Sequence, residues 1–362
     1  PYVEHVLGWA RLKTLLYRDA GYAVIFQLLR GVGASDGEFS FNGPSDRTDG
    51  YDTVEWIAAQ PWCDGHVGMD GGSYVAMTQL TAATLRPPHL RCIVPSVPSA
   101  NFFAEIPYMG GVFSRLHSIN WTHIISVESL TELTGGFVAA MPILSQLPWL
   151  KRMTSRPVCQ AARGVLQGDK LKHFEDVLAH PTFDDWWRER TMSDADYANI
   201  QIPALVVLGN FDLCIGGLTV WRGLEAHAES DAERSLLIGP WDHGQSYVGG
   251  ATQHGPYELG EHSVLDLVAL RLAFFDRHLK GIGEGPSLGG RVRLFVTGVN
   301  EWRSFDRFPP LEVTEVAFYL RSGGAANSVR GDGCLASAPA AGSEAPDHFI
   351  ADPTLPFVPA LA

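Results

Sequence analysis

Short runs of almost uninterrupted apolar residues, each followed at once by a turn and then by a helix-compatible segment, limit what this chain can fold into. Residues 22–29, the run that leads into Gly68-Met69-Asp70, and residues 90–94, 203–209 and 234–239 are of this kind. A strand covered by helices on both faces has no polar alternation, so such runs predict strands of a parallel sheet. Helical spacing fills the intervals. Val6, Trp9, Leu12, Leu15 and Leu16 mark a helix over 6–18 that Gly21 ends; Val54, Ile57 and Ala58 share a face over 52–59; residues 218–227 form another. A helix after Ala76 runs to about Thr84, before Pro87-Pro88. Strand and helix alternating along a chain predict an α/β fold.

The alternation has one long interruption and one end. Between Pro98 and Asn199 no strand-like run occurs, which predicts a helical insertion. A helix is expected from Ser263 to Lys280, with Ser263 and Asp266 placed as a capping box and Gly281 as its stop. From Arg291 strict alternation begins, with Val292, Leu294 and Val296 opposite Arg293, Phe295 and Thr297, as at the start of a β-rich domain. The expected division is therefore 1–98 and 200–286 as two parts of one α/β domain, 99–199 as a helical cap, and 287–362 as part of a β domain.

Composition narrows the function. Forty acidic residues against 27 basic ones give a net charge of -13, which argues against nucleic acid and anionic membranes as partners. Cys63, Cys92, Cys159, Cys214 and Cys334 are scattered and odd in number, so neither a disulfide framework nor a cysteine zinc site is expected. There is no H-E-x-x-H, and the glycines of 30–37 form neither G-x-G-x-x-G nor G-K-[ST], so no metal and no cofactor are expected. No apolar run reaches membrane-spanning length and no leader pattern is visible in a chain that starts at Pro1; a cytoplasmic location is expected. Assembly into a homo-oligomer is left open.

Gly71-Gly72-Ser73-Tyr74, at the end of an apolar run and the start of a helix, has the form of a turn that lifts a serine clear of a sheet. Gly71 stands where a side chain would crowd that turn, and Val75 holds the place where glycine usually closes the motif. A serine hydroxyl needs a positioned base, and a histidine base needs a carboxylate to fix its tautomer. Asp212 and His243 each directly follow a strand-like run, in the chain order Ser, Asp, His of the α/β-hydrolases. Either residue alone would pass for an ordinary loop residue; three in register point to a triad. Asp242 is a poorer acid because sequence neighbours rarely face each other's side chains, and His66 lies a strand length from Ser73. The N–H of Tyr74 would be one oxyanion donor.

Longer motifs carry a resemblance. Trp62-Cys63-Asp64-Gly65-x-Val67-Gly68-Met69-x-Gly71-x-Ser73-Tyr74, Gly21-Tyr22-Ala23-Val24 with Gln27 and Arg30-Gly31, Pro203-Ala204-Leu205 through Phe211-Asp212, Ile238-Gly239-Pro240-Trp241-x-His243 and Phe275 through Gly281 together resemble the cocaine esterase-like serine hydrolases. That group includes the Xaa-Pro dipeptidyl-peptidases and the α-amino-acid ester hydrolases. The resemblance implies an α/β-hydrolase domain, a helical cap and a C-terminal jelly-roll. It implies Ser73, Asp212 and His243 as the triad, the Tyr2 hydroxyl as second oxyanion donor, and Trp121 as a pocket residue. Cys214 stands where an aromatic often follows the acid, so the substrate pocket is expected to differ there. Asp70 puts a carboxylate beside the elbow; buried and unpaired it would cost several kcal/mol, roughly. A strand between 22–29 and the elbow strand, and the rest of the jelly-roll, are missing from the resemblance, so the chain is expected to be truncated at both ends, aggregating and inactive when expressed alone.

The leading expectation is thus a serine esterase acting on a small-molecule ester or peptide-like substrate. A dipeptidyl-peptidase or amidase on the same triad would need carboxylates for a substrate ammonium, for which Glu105, Glu128 and Glu132 are candidates. A catalytically dead binding module is the non-enzyme alternative.

Overall fold

The computed structural model describes residues 14–32, 35–124, 162–163, 166, 168–227, 232–328 and 330–350. They form α1 (residues 14–19), α2 (Pro44–Ala58), β1 (Val67–Gly72), α3 (Tyr74–Ala83), β2 (Leu90–Ser96), α4 (Phe102–Glu105), α5 (Arg115–Ile124), α6 (Gly168–Ala179), α7 (Asp185–Arg188) and α8 (Asp194–Asn199). Then follow β3 (Ala204–Gly209), α9 (Gly217–Ala226), β4 (Arg234–Gly239), α10 (Gln245–Val248), β5 (Gln253–His254), β6 (Tyr257–Glu258), α11 (Leu267–Phe275), β7 (Val292–Val296), β8 (Glu301–Phe305), β9 (Tyr319–Arg321) and β10 (Cys334–Ala336).

One six-stranded sheet, in the order β1-β2-β3-β4-β7-β8, organises residues up to Asp306; all neighbours pair parallel except β7 with β8. Its central strands are buried throughout: Leu205, Val206, Val207, Leu236 and Leu237 have no exposed surface. This is why their sequences carry no polar alternation. On one face Leu205, Val207 and Leu237 pack with Trp241, Phe274 and Phe275. Between β2 and β3 every element among the described residues is helical.

Three expectations are corrected. Residues 22–29 do not form a strand, and Ile25 and Phe26 are exposed at 40% and 48%. Among the described residues β1 has a strand partner on one side only, β2, and an apolar run becomes a strand only where a neighbour takes up its backbone hydrogen bonds. Tyr22 and Val24 still pack against the core, so the run keeps part of its burial without its pairing. Residues 292–305 do not open a separate β domain: β7 joins β4 in parallel and β8 folds back on it. The second compact unit begins at Arg307, and its described residues hold one antiparallel pair, β9 with β10. Finally, Ser263 does not cap the long helix. Asp266 does, accepting from the Ala269 N–H at 2.9 Å, while the Ser263 hydroxyl donates to the Ala251 and Gly260 carbonyls. An Asp directly before the first apolar residue is the better cap because its carboxylate reaches the N3 amide within one turn.

Both predicted glycine stops hold. Gly21 and Gly281 adopt φ of 86° and 69°, in the left-handed region that ends helices. The stretch Asp276–Lys280 continues α11 by a π turn before Gly281. In the full-length protein, Asp266→Ala should lower stability by about 1 kcal/mol in chemical denaturation, and Ser263→Ala should not reproduce that loss through helix capping.

Candidate active site

The elbow is a matter of local backbone chemistry. Ser73 has φ 59° and ψ -127°, a conformation that side chains rarely adopt. The strain is held from both sides. The Ser73 N–H donates to the Ser96 carbonyl of β2 at 2.9 Å, and the Ser73 carbonyl accepts from the Ala76 and Met77 amides at 2.9 and 3.1 Å. A side chain at Gly71 would run into Val75, so the glycine two places before the serine is required here. Ala76 is fully buried, and a small residue suffices where α3 packs on the sheet. Tyr74 is the first residue of α3, in the turn whose N–H groups point out of the helix along its dipole. Its ring is buried, and its hydroxyl donates to Asp46 at 2.8 Å and accepts from the Asn42 N–H at 3.1 Å.

Asp212 and His243 come together from the loops after β3 and β4. Phe211 donates its N–H to the Trp241 carbonyl at 3.0 Å, so the two loops are joined by backbone as well as by side chains. His243 Nδ1 lies 2.9 and 3.0 Å from the two Asp212 oxygens. A carboxylate only accepts, so Nδ1 carries the hydrogen and Nε2 is left as the acceptor. The Asp212 side chain is 1% exposed and also accepts from the Cys214 N–H at 2.6 Å. Asp242 is occupied elsewhere: its carboxylate accepts from the Gln245 N–H at 2.7 Å, with His254 at 4.0 Å. His66 lies before β1, its Nδ1 2.8 Å from the Leu279 carbonyl.

Cys214 is buried two residues after Asp212. Burial, followed by the Asp212 carboxylate, pushes its thiol well above its ordinary range. The Tyr247 ring stands edge-on to His243 at 5.8 Å and covers Gly72, where an added Cβ would meet the ring at 2.5 Å. Trp121 packs on Phe41 at 4.6 Å, on Phe102 at 5.7 Å and on Tyr74 at 6.1 Å, which sets it against the elbow helix. Tyr2, Glu128 and Glu132 lie outside the described residues. Glu105 does not offer itself to a substrate. It is 7% exposed, and its carboxylate accepts from the Ser99 hydroxyl at 2.5 Å, the Asn101 N–H at 2.8 Å and the Ala100 N–H at 3.2 Å, directly under Gly216. A cavity of about 330 Å³ bounded by Phe39, His173, Trp186 and Arg190 contains none of these residues; the Phe41 ring contacts both His173 and Tyr74.

Two supports escaped the sequence. Asp70 is paired: Tyr17 donates its hydroxyl to Oδ2 at 2.7 Å, and Arg271 Nε lies 3.6 Å from Oδ1, with both charged side chains under 10% exposed. Arg271 also donates to the Tyr247 and Ser246 carbonyls at 2.9 and 3.3 Å and to the Ser96 hydroxyl at 3.1 Å. The one visible signal was an arginine inside the apolar run 267–275. Asp46 is the second; burial lifts its carboxyl to about 7, opposed by the Tyr74 hydroxyl.

The described residues contain no helix long and apolar enough to cross a membrane. Residues 2–245 match the family profile described as X-Pro dipeptidyl-peptidase (S15 family). The chain is 32% identical to a cocaine esterase of Rhodococcus sp. (strain MB1 Bresler) over 98% of its own length and 62% of that protein's. An aminopeptidase from a marine sediment Thaumarchaeota archaeon superposes with a TM-score of 0.66 at 23% identity, covering 86% of this chain and 52% of that one. An α-amino acid ester hydrolase superposes with a TM-score of 0.64 at 21% identity, covering 91% and 54%. The chain thus spans between half and two thirds of the length of these relatives, and its fold is that of the α/β-hydrolases.

Two outcomes follow from the supports. Arg271→Ala should cost about 3–5 kcal/mol in denaturant unfolding of the full-length protein, because it strands Asp70 as a buried charge; Arg271→Met with Asp70→Leu should recover much of the loss. Asp46 binds its proton more tightly folded than unfolded. Its contribution therefore makes stability fall as pH rises from about 4 to about 7, by up to roughly 1.4 kcal/mol per unit. Stability-against-pH curves of wild type and Asp46→Asn should diverge across that window and run parallel above it.

Proposed function

The chain belongs to the X-Pro dipeptidyl-peptidase (S15) family of hydrolases, and from that premise we propose that it cleaves carboxylic esters through an acyl-enzyme on Ser73. The observation that carries the reading is the strained turn at Ser73 after β1 together with an Asp212–His243 pair, on the loops after β3 and β4, whose acceptor nitrogen is Nε2. In this reading His243 Nε2 takes the Ser73 proton as Oγ attacks the ester carbonyl. Asp212 holds the tautomer and balances the imidazolium that forms. The Tyr74 N–H and the Tyr2 hydroxyl receive the oxyanion. The imidazolium then protonates the departing alcohol, and the freed ring activates water for deacylation.

Esters are favoured over N-terminal dipeptides because Glu105, the described carboxylate put forward for a substrate ammonium, is already taken up by the loop 99–101. Trp121, against Tyr74, and Cys214, against Asp212, would bound the acyl and alcohol sides. The division into a helical cap over 99–199 and a partial jelly-roll after Asp306 belongs to the same proposal.

A fluorophosphonate probe should label Ser73 of the full-length protein, and Ser73→Ala should lose both label and aryl-ester turnover. Asp212→Asn should lower kcat by about 10⁴ with the fold intact. Turnover of Xaa-Pro amides at a rate matching aryl esters would replace the esterase reading with the peptidase one. A folded protein with no label would defeat both.

A further inference from the structure

Cys214 is a buried thiol that the proposed mechanism does not use. Among the described residues, Asp212, Cys214 and His243 bring one carboxylate oxygen, one sulfur and one ring nitrogen within 4.8 Å of one another. The ring nitrogen facing the carboxylate is Nδ1. Three protein donors leave one position of a four-coordinate ion for water. Oxygen, nitrogen and sulfur around one point make a donor set for a soft or borderline divalent ion in four-coordinate geometry. We propose that these residues form an inhibitory site for a thiophilic divalent cation of the zinc and cadmium class, with water completing the coordination.

The charges and protons balance. Before binding the group holds a carboxylate, a thiol and a neutral imidazole. On binding, a metal–sulfur bond replaces the S–H bond, and the thiol proton goes to solvent. The metal–nitrogen bond replaces the Nδ1–H bond, and the ring keeps one proton, now on Nε2. The result is a cation of charge two against a thiolate and a carboxylate, neutral overall. This neutrality offsets the burial that opposes a lone thiolate. The consequence for catalysis is direct. Nε2, the atom that must accept the Ser73 proton, is already protonated, and Asp212 no longer orients the ring.

Spacing along the sequence does not reveal this group, because it draws on two loops from different strands. It also depends on the residue two places after Asp212: an aromatic there would offer no ligand. The inhibition rests on the esterase reading, but binding does not, and the test keeps the two apart.

Metal-free full-length protein is titrated with cadmium chloride while the ultraviolet thiolate-to-cadmium charge-transfer band is followed. The expected result is one tightly bound ion per chain. Cys214→Ala should abolish the band, Cys214→Ser and His243→Ala should each weaken binding by more than about tenfold, and Cys63→Ser should leave it unchanged. Zinc should block aryl-ester turnover and fluorophosphonate labelling of Ser73 in the wild type, reversibly with a chelator, and more than about tenfold less well in Cys214→Ser. If turnover is absent, the cadmium band still decides the site. A band that persists in a folded Cys214→Ala, or equal zinc inhibition of wild type and Cys214→Ser, overturns the proposal.

Discussion

The contact on which most of this molecule depends is the buried pair of Arg271 and Asp70. Asp70 lies in β1, three residues before the serine, and Arg271 lies midway along α11. One guanidinium thereby touches the elbow strand, the Ser96 hydroxyl at the end of β2 and the carbonyls of α10, the short helix after His243. An ion pair in such a place adds little net stability over a well-packed apolar pair, since desolvation consumes most of the attraction. What it adds is geometry. A guanidinium with fixed donor directions holds three elements in one arrangement, and those elements present Ser73 and His243.

The sheet explains why the remaining parts meet. In a parallel sheet all strand ends on one edge face the same way, and the loops after β1, β3 and β4 emerge together. The loop after β1 is the strained turn at Ser73; the loops after β3 and β4 carry Asp212 and His243. Backbone contacts between loops, Ser73 to Ser96 and Phe211 to Trp241, lock the relative heights of the three before any side chain is counted. The strain at Ser73 is tolerated because its N–H and its carbonyl are both satisfied by rigid neighbours.

This edge-wise convergence is also why Ser73, Asp212 and His243 could be picked out in the sequence. Asp212 and His243 follow runs that are almost wholly buried and so carry an apolar signature; β1 is only partly buried, and the glycines before Ser73 are its signal. The failures have the opposite cause. Residues 22–29 are as apolar as β3, but strand formation is decided by a partner's backbone, which no local pattern reports. Val292–Val296 alternates in sequence, yet β7 is paired on both sides and buries Val292 and Phe295, so the alternation resembled the start of a new domain although the strand belongs to the main sheet. Asp70 looked like a defect because its partner lies some two hundred residues away, in a helix whose other positions are apolar.

Cys214 is the residue where position and identity come apart. Its backbone does what any residue would do there: its N–H donates to Asp212 and helps hold the carboxylate. Its side chain replaces the bulk of an aromatic ring by one polarisable atom, next to Asp212 and His243. A ring would shape the wall by excluded volume and leave the chemistry of the triad alone. A sulfur takes less volume than a ring but places a potential metal ligand next to the Asp212 carboxylate. Burial and the adjacent carboxylate keep it in the inert thiol form. The same burial is undone by any cation that brings two positive charges to the spot. Under the proposed cation site, a thiol at this position therefore carries a liability that an aromatic side chain would not.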